Sequence, residues 1–468
     1  MMKFAAHDSC NGDILLLPSD VIRVKVLPLL GIADLANLDS AACNDQARFH
    51  LAECMRGHET VVHTEEVPLL VCALRWLKVR AMFVESFVLY NAEDLRALVD
   101  ADVLLPLKRT HNLAVMGVGD SGEALTRIVN MVDNNSLSGV SLDGTVNSVT
   151  DTNIKSLVAS QKLMLKVSIN NSPAVTDESL KIIAQNCAGL KELSVTYCEN
   201  VVFAPETMAT FSSACFRLVK LKLCTRLRID EALRQVSIYC VYLEELDVRL
   251  CPEVDDGALA PVLLRCTCLK LLNLARTAVS TKSFAVIARR CQFITSLSMS
   301  LNVNGRGIAK VFSMMKGKLV SFSGFMFPRA ILASVVFWGE SMRSLDLCLS
   351  RVSDEILICI AQNCINLSYL SVSDFKKVKL SDASLQALSS STPFLRTLII
   401  WGGCCITDQG VLALSQGCSQ LTKLSLCSSS ALTRISLLPL IRDCTHLEKV
   451  ELKSCIDFHH DLIVICTI

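Results

Sequence analysis

The stretch TDESLKIIAQNCAGLKELSVTYC, Thr176–Cys198, holds one complete structural unit. Leu180, Ile183, Ala184 and Cys187 fall at i, i+3, i+4 and i+7, the spacing of one apolar helix face. Thr176 stands just ahead, where its hydroxyl can accept from the free amides of the first turn. Leu190, Leu193 and Val195 follow as L-x-x-L-x-L, whose last part has the period of two that makes a strand. The stretch therefore predicts helix, turn and strand.

The same frame runs through most of the chain. Its anchor cysteines are Cys187, Cys215, Cys240, Cys266, Cys291, Cys364, Cys418 and Cys444. The wider gaps are filled by Lys316, Gly339 and Thr392, giving units of about 26 residues. Three residues after each anchor comes an apolar residue, three further another (Leu193, Leu221, Leu246, Leu272, Leu297, Phe322, Leu345, Leu370, Leu398, Leu424, Val450), and two further usually a third. Gly324 breaks the third place in the sixth unit. Eleven residues ahead of the anchors stand the capping residues Thr150, Thr176, Asp255, Ser280, Ser353, Ser381, Thr407 and Thr433. Extending the phase backward puts anchors at Asn134 and Gln161 and strands at Val140–Leu142 and Val167–Ile169, with weaker ones at Phe87–Leu89 and Leu113–Val115. Gly305 to Gly339 lacks caps and cysteines, and irregular turns are expected there. No single unit can bury its own apolar faces, so such units occur stacked.

These residues resemble the cysteine-containing leucine-rich-repeat family, whose pattern is C-x-x-L-x-x-L-x-L-x-x-C, then I-T-D and a helix. The second cysteine matches at Cys198, Cys251 and Cys455. The resemblance implies an α/β leucine-rich-repeat solenoid over residues 83–468, about 13–15 units, with parallel strands on a concave face and helices on the convex one. Residues 1–13 are expected to be a flexible N-terminus and 61–82 a connecting helix. The chain ends at DLIVICTI without a polar capping helix, so truncation or pairing with another element is expected there.

Residues 14–60 do not fit the repeat. Leu17-Pro18-Ser19-Asp20 opens a helix with Val21, Ile22, Val26, Leu29 and Leu30 on one face; Gly31 ends it, and Asp34, Leu35 and Leu38 begin a second. This segment is similar to an F-box, a short helical module that docks on a Skp-type adaptor of a cullin ubiquitin ligase. The resemblance assigns docking to Leu17, Pro18, Asp20, Val21, Leu27, Leu30, Leu35 and Leu38. The alternative is a helical cap over the first strand, which a solenoid also needs.

Composition narrows the remaining classes. The 468 residues carry 46 Lys+Arg against 45 Asp+Glu, a net charge of +1, which gives no whole-molecule pull toward nucleic acid or anionic membrane. Hydrophobic residues make up 51%, spread in short pulses; the longest local run, Ala330–Trp338, is far below the roughly 18 residues of a span. No secretory signal opens the chain, so a cytoplasmic or nuclear location is expected, with the 23 cysteines reduced. No C-x-x-C, G-x-x-x-x-G-K-[ST], G-x-G-x-x-G, H-E-x-x-H or G-x-S-x-G occurs, and His459-His460 reads as a surface pair. No catalytic residue, cofactor or metal is expected.

Binding should fall on residues that alternate with the buried leucines. One column reads Ser194, Lys222, Asp247, Asn273, Ser298, Ser323, Asp346, Ser371, Ile399, Ser425, Glu451; the parallel one includes Arg249, Phe325 and Trp401. Trp401, Ile399, Tyr369 and Arg396 form one candidate patch and Asp247, Arg249, Glu244 and Glu245 another, with Phe325 as a further aromatic. The competing expectation for Trp401 is packing on the Gly402-Gly403 turn. The chain then reads as the target-binding subunit of an SCF-type ubiquitin ligase, with a Skp-type adaptor and cullin complex as partners. The alternative is an interaction scaffold without that role.

Overall fold

The computed structural model describes residues 61–64, 86–89, 109–116, 132–143, 149–300, 305–325, 337, 339–348, 350, 352–373, 380–453 and 462–465. The chain divides into two compact units, split between Thr225 and Arg226. Each is a leucine-rich-repeat solenoid: parallel strands follow one another in chain order on one side, and the described helices, nearly all of ten residues, connect successive strands on the other.

In the unit ending at Thr225 the strands are β1 (Val61–Thr64), β2 (Ser86–Leu89), β3 (Asn112–Met116), β4 (Gly139–Asp143), β5 (Lys166–Asn170), β6 (Glu192–Thr196) and β7 (Lys220–Cys224). Helices α1 (Asp151–Ser160), α2 (Asp177–Asn186) and α3 (Pro205–Ala214) join the last four. All pairings are parallel and unshifted; Ser168, Ser194 and Lys222 stand side by side. The helix expected to begin at residue 61 is corrected: Val61–Thr64 is a strand paired with Ser86–Leu89. A β-branched run with an unpaired neighbour edge gains ladder bonds as a strand that a helix would not give it. The rest of 61–82 and the whole of 14–60 lie outside the described residues.

In the unit from Arg226 the order is α4 (Asp230–Tyr239), β8 (Glu245–Asp247), α5 (Asp256–Arg265), β9 (Leu271–Leu274), α6 (Thr281–Arg290), β10 (Ser296–Ser300), α7 (Gly305–Met314) and β11 (Ser321–Phe325). It continues with β12 (Ser344–Cys348), α8 (Asp354–Asn363), β13 (Tyr369–Ser373), α9 (Asp382–Ser391), β14 (Thr397–Thr407), α10 (Asp408–Gly417), β15 (Lys423–Ala431), α11 (Leu437–Asp443), β16 (Lys449–Lys453) and β17 (Leu462–Ile465). β17 runs antiparallel along β16, with Glu451 opposite Ile463, so part of DLIVICTI covers the edge of the last parallel strand. The inward residues Leu246, Leu272, Leu297, Phe322, Leu345, Leu370, Leu398, Leu424 and Val450 are each 1% exposed or less. Each contributes about 1.5–3 kcal/mol by burial, and that row is the core of the unit.

The anchor cysteines have a specific task. The thiol of Cys215 points at the carbonyl of Cys187 (3.6 Å), Cys266 at Cys240 (3.5 Å), Cys418 at Thr392 (3.5 Å) and Cys444 at Cys418 (3.6 Å). A thiol is small and apolar enough for the core yet is a weak donor, so it adds a second bond to an anchor carbonyl that already accepts the amide three residues on. Gln161 takes the place in its unit: fully buried, its amide donates to Asp133 O (3.1 Å) and accepts from Leu137 N (3.0 Å). At the second cysteine position Cys198 donates to Ile169 O (3.6 Å), and Ser350 reaches Gly324 O (3.5 Å) in the equivalent geometry.

The expected caps form at Thr150, Thr176, Asp255, Ser280, Ser381 and Thr407. Thr433 caps a 3-10 turn ahead of α11 through Ile435 N (3.2 Å), and Ser353 occupies its cap position without bonding. The capping hydroxyls also donate across to the first helical aspartate of the preceding coil. Thr176 bonds Asp151 (2.6 Å), Ser381 bonds Asp354 (2.7 Å), Thr407 bonds Asp382 (2.7 Å) and Thr433 bonds Asp408 (2.5 Å). Asp177 instead takes three backbone amides, of Val202, Phe203 and Ala204, at 2.7–2.9 Å.

The stretch expected to be irregular is partly regular, since Gly305–Met314 is a full helix. Lys316 is exposed and is not the anchor; Met315 is buried in its place. An extra residue before the strand is absorbed at Gly317, whose φ of +72° only glycine adopts cheaply.

Candidate interaction surface

The parallel register brings part of the expected patch together. Tyr369 lies beside Thr397, Ser371 beside Ile399 and Ser373 beside Trp401, so the aromatic and aliphatic side chains share one sheet face on β13 and β14. Arg396 precedes β14 and is exposed; Ile399 and Tyr369 are half-buried. Trp401 is 40% exposed, and its indole N–H donates to Ser425 Oγ on β15 (3.0 Å). Ser425 in turn donates to Glu451 Oε2 on β16 (3.0 Å), and Lys449 Nζ holds Glu451 Oε1 (2.6 Å). The ring is thus held by a polar chain running over two further strands. β14 shifts register after Trp401, where its pairing with β15 resumes at Cys404 and Ser429.

Glu451 sits below the ordinary carboxylate value, mainly through Lys449, with Ser425 adding to it against the opposing effect of burial. Asp346, two strands before Ile399, behaves oppositely. Burial raises it, only partly offset by Ser371 and Ser323, and its Oδ1 is buried without a hydrogen-bond partner. Tyr369 is raised too, by burial and then by the Asp346 charge.

Asp247 and Arg249 form their own ion pair at the β8 end (Nε–Oδ2 3.1 Å), with Glu244 engaged by Lys270 (2.8 Å). Their charges are largely spent on each other. Phe325 closes β11, three strands from Trp401, and its side chain lies outside the described residues. Leu17, Pro18, Asp20, Val21, Leu27, Leu30, Leu35 and Leu38 lie outside them as well. Residue reasoning passed over Ser425, Glu451 and Lys449. Ser425 and Glu451 stood in the polar column, but their link to Trp401 depends on which atoms adjoin across strands.

Chemically, this surface can bind. Sixteen described cysteines carry free thiols. Burial pushes Cys266, Cys364 and Cys418 up to about 12, which keeps them protonated and unreactive at neutral pH. Among the described residues no group of three His, Cys, Asp or Glu is placed to hold a metal, and no helix is long and apolar enough to cross a membrane.

No family model matches the chain. Among solved structures it is similar to a chain in the crystal structure of the Rad7 and Elc1 complex in yeast, at a TM-score of 0.54 and 15% identity, covering 80% of this chain and 86% of that one. It is also similar to a leucine-rich-repeat protein of Leptospira interrogans, at a TM-score of 0.35 and 15% identity, covering 75% and 91%. At such identity the first likeness speaks to fold.

Proposed function

We propose that this chain is the target-binding subunit of an SCF-type ubiquitin ligase. The module at residues 14–60 docks a Skp-type adaptor of the cullin complex, and the strand face around Trp401, Ile399, Tyr369 and Arg396 takes the target protein, with Phe325, Asp247 and Arg249 as further contacts. The chain makes no bond itself; it raises the target's effective concentration near a conjugating enzyme. The observation that carries the binding part is a half-exposed Trp401 held rigid by Ser425 on an otherwise polar sheet. Exposed, fixed aromatic rings dominate interface energetics because little entropy is lost on contact. The ligase part rests on the F-box-like residues, and a related fold occurring in a complex of two proteins is compatible with it.

The test is co-purification with a recombinant Skp-type adaptor. Recovery by wild type and loss with Leu17→Asp plus Pro18→Ala supports the ligase reading. No recovery by wild type leaves an interaction scaffold without ubiquitin chemistry. Trp401→Ala should abolish target capture while adaptor binding persists.

A further inference from the structure

In the unit from Arg226, the turns that lead from helix to strand form a second continuous row. Lys270 N bonds Glu244 O (2.7 Å), Thr295 N bonds Lys270 O (2.9 Å) and Val320 N bonds Thr295 O (2.8 Å), which locks four successive turns in register. Tyr242 and Phe293 occupy the same place in their turns, two residues past the anchor, and each is 62% exposed. Leu264 on the last turn of α5 is 53% exposed and Tyr239 at the end of α4 is 40%. The turn itself does not require these side chains, for the same place holds Cys268, Asn366, Gln420 and His446 in other coils, with Phe394 the one further aromatic among the later ones. Large apolar groups left in water along one row mark a contact site.

Charge specifies what the contact is. Arg265, Arg289 and Arg290 are exposed at the ends of α5 and α6, and Lys318 bonds only the neutral Gln292 among the described partners (2.7 Å). Glu244 is already taken by Lys270. Cations at helix C-termini favour the helix dipole, but the dipole does not draw tyrosine and phenylalanine to the same edge.

We infer that this row of turns is a docking surface for an acidic segment of a partner protein that carries apolar side chains. The row is about one side chain wide, and coils are spaced by about 5 Å, so Tyr242 and Phe293 lie about 10 Å apart, the reach of three to four residues of extended chain. A linear segment matches that footprint better than a flat lipid surface. The surface lies apart from the Trp401 face and does not depend on the proposed ligase role.

The test uses the full chain with a fluorescein-labelled peptide alternating glutamate and leucine, read by anisotropy. Wild type should bind it, more weakly as salt rises. Arg289→Glu with Arg290→Glu, and separately Tyr242→Ser with Phe293→Ser, should each weaken binding by about tenfold or more. These substitutions sit on the surface, and an unchanged thermal melt shows that the fold persists. No binding, equal binding of a peptide with lysine for glutamate, or full binding by both double variants overturns the inference. Sedimentation of the protein with phosphatidylcholine–phosphatidylserine vesicles in the absence of peptide binding also overturns it and identifies a membrane-facing edge.

Discussion

Two stretches of the Arg226 unit solve the same stacking problem by different means. From Asp354 to Thr433 each coil is tied to the next by an aspartate that receives both the backbone amide and the hydroxyl of the following cap. From Gly305 to Cys348 the first helical turn carries no acid, Met315 stands where a thiol would be, and Gly317 adds a residue. Yet β11 pairs with β10 and β12 in an unbroken register. In place of the polar ties, Phe312 and Phe322 meet edge to face, centroids 5.3 Å apart, both 1% exposed. The solenoid therefore continues here without an aspartate tie among the described residues, held by strand pairing, an apolar interior and hydroxyl bonds such as Ser341 to Leu319 O (2.9 Å).

The sharpest way to break this comparison is Phe322→Ala. With no aspartate tie among the described residues of this stretch to share the load, the cavity should cost about 3–5 kcal/mol, read as a lowered denaturant midpoint with hydrogen exchange rising first around β11. A loss below about 1 kcal/mol would show that the ring pair is not what replaces the ladder. Next is Gly417→Ala in the tied stretch, where a Cβ would overlap the Ser389 carbonyl oxygen and push α10 off α9. Overpacking of this kind should cost about 1–3 kcal/mol, and an unchanged melting temperature would refute the close approach.

Acid offers a comparison of opposite signs. Burial alone would raise Asp354, but hydrogen bonds from Ser381 and Ser384 outweigh it and hold the carboxyl below its ordinary value of 3.8. Its contribution is present above that value and is lost as pH falls through the lower folded one. Asp346, raised by burial, runs the other way: folding gains as pH falls from neutrality through its raised value toward 3.8. Asp354→Asn should therefore destabilise by about 1–2 kcal/mol at neutral pH and little in strong acid, whereas Asp346→Asn should be neutral or stabilising by up to about 1 kcal/mol at neutral pH. Urea titrations at several pH values check both; equal signs at pH 7 would show that the two carboxylates are not in contrasting environments. The smallest effect belongs to Gly317→Ala, about 1 kcal/mol from the positive φ alone, since nothing lies within 4 Å of the added carbon.

Much of the fold was legible because it is periodic. The cysteine phase placed the leucines of β6 to β16 on their strands, and even the weak signals at Phe87–Leu89 and Leu113–Val115 fall within real strands. Legibility failed where the phase was interrupted. Counting residues puts the anchor at Lys316, but burial selects side chains by shape, and Met315 fits while a lysine does not. The strand at Val61–Thr64 was missed because a short β-branched run acquires its conformation from a partner strand and not from its own pattern.

Repeat length, inward leucines, caps and the polar outer column all follow from spacing within a few residues of chain, and so could be read before any fold was known. The cross-coil partners emerge with the stacked fold: the capping hydroxyl that reaches back to the preceding aspartate, the thiol on the preceding carbonyl, and the Trp401 indole on Ser425. Those bonds join residues 24 to 26 positions apart. Their directions are fixed by strand register, which the pleat and the packed core impose collectively and which no local pattern encodes.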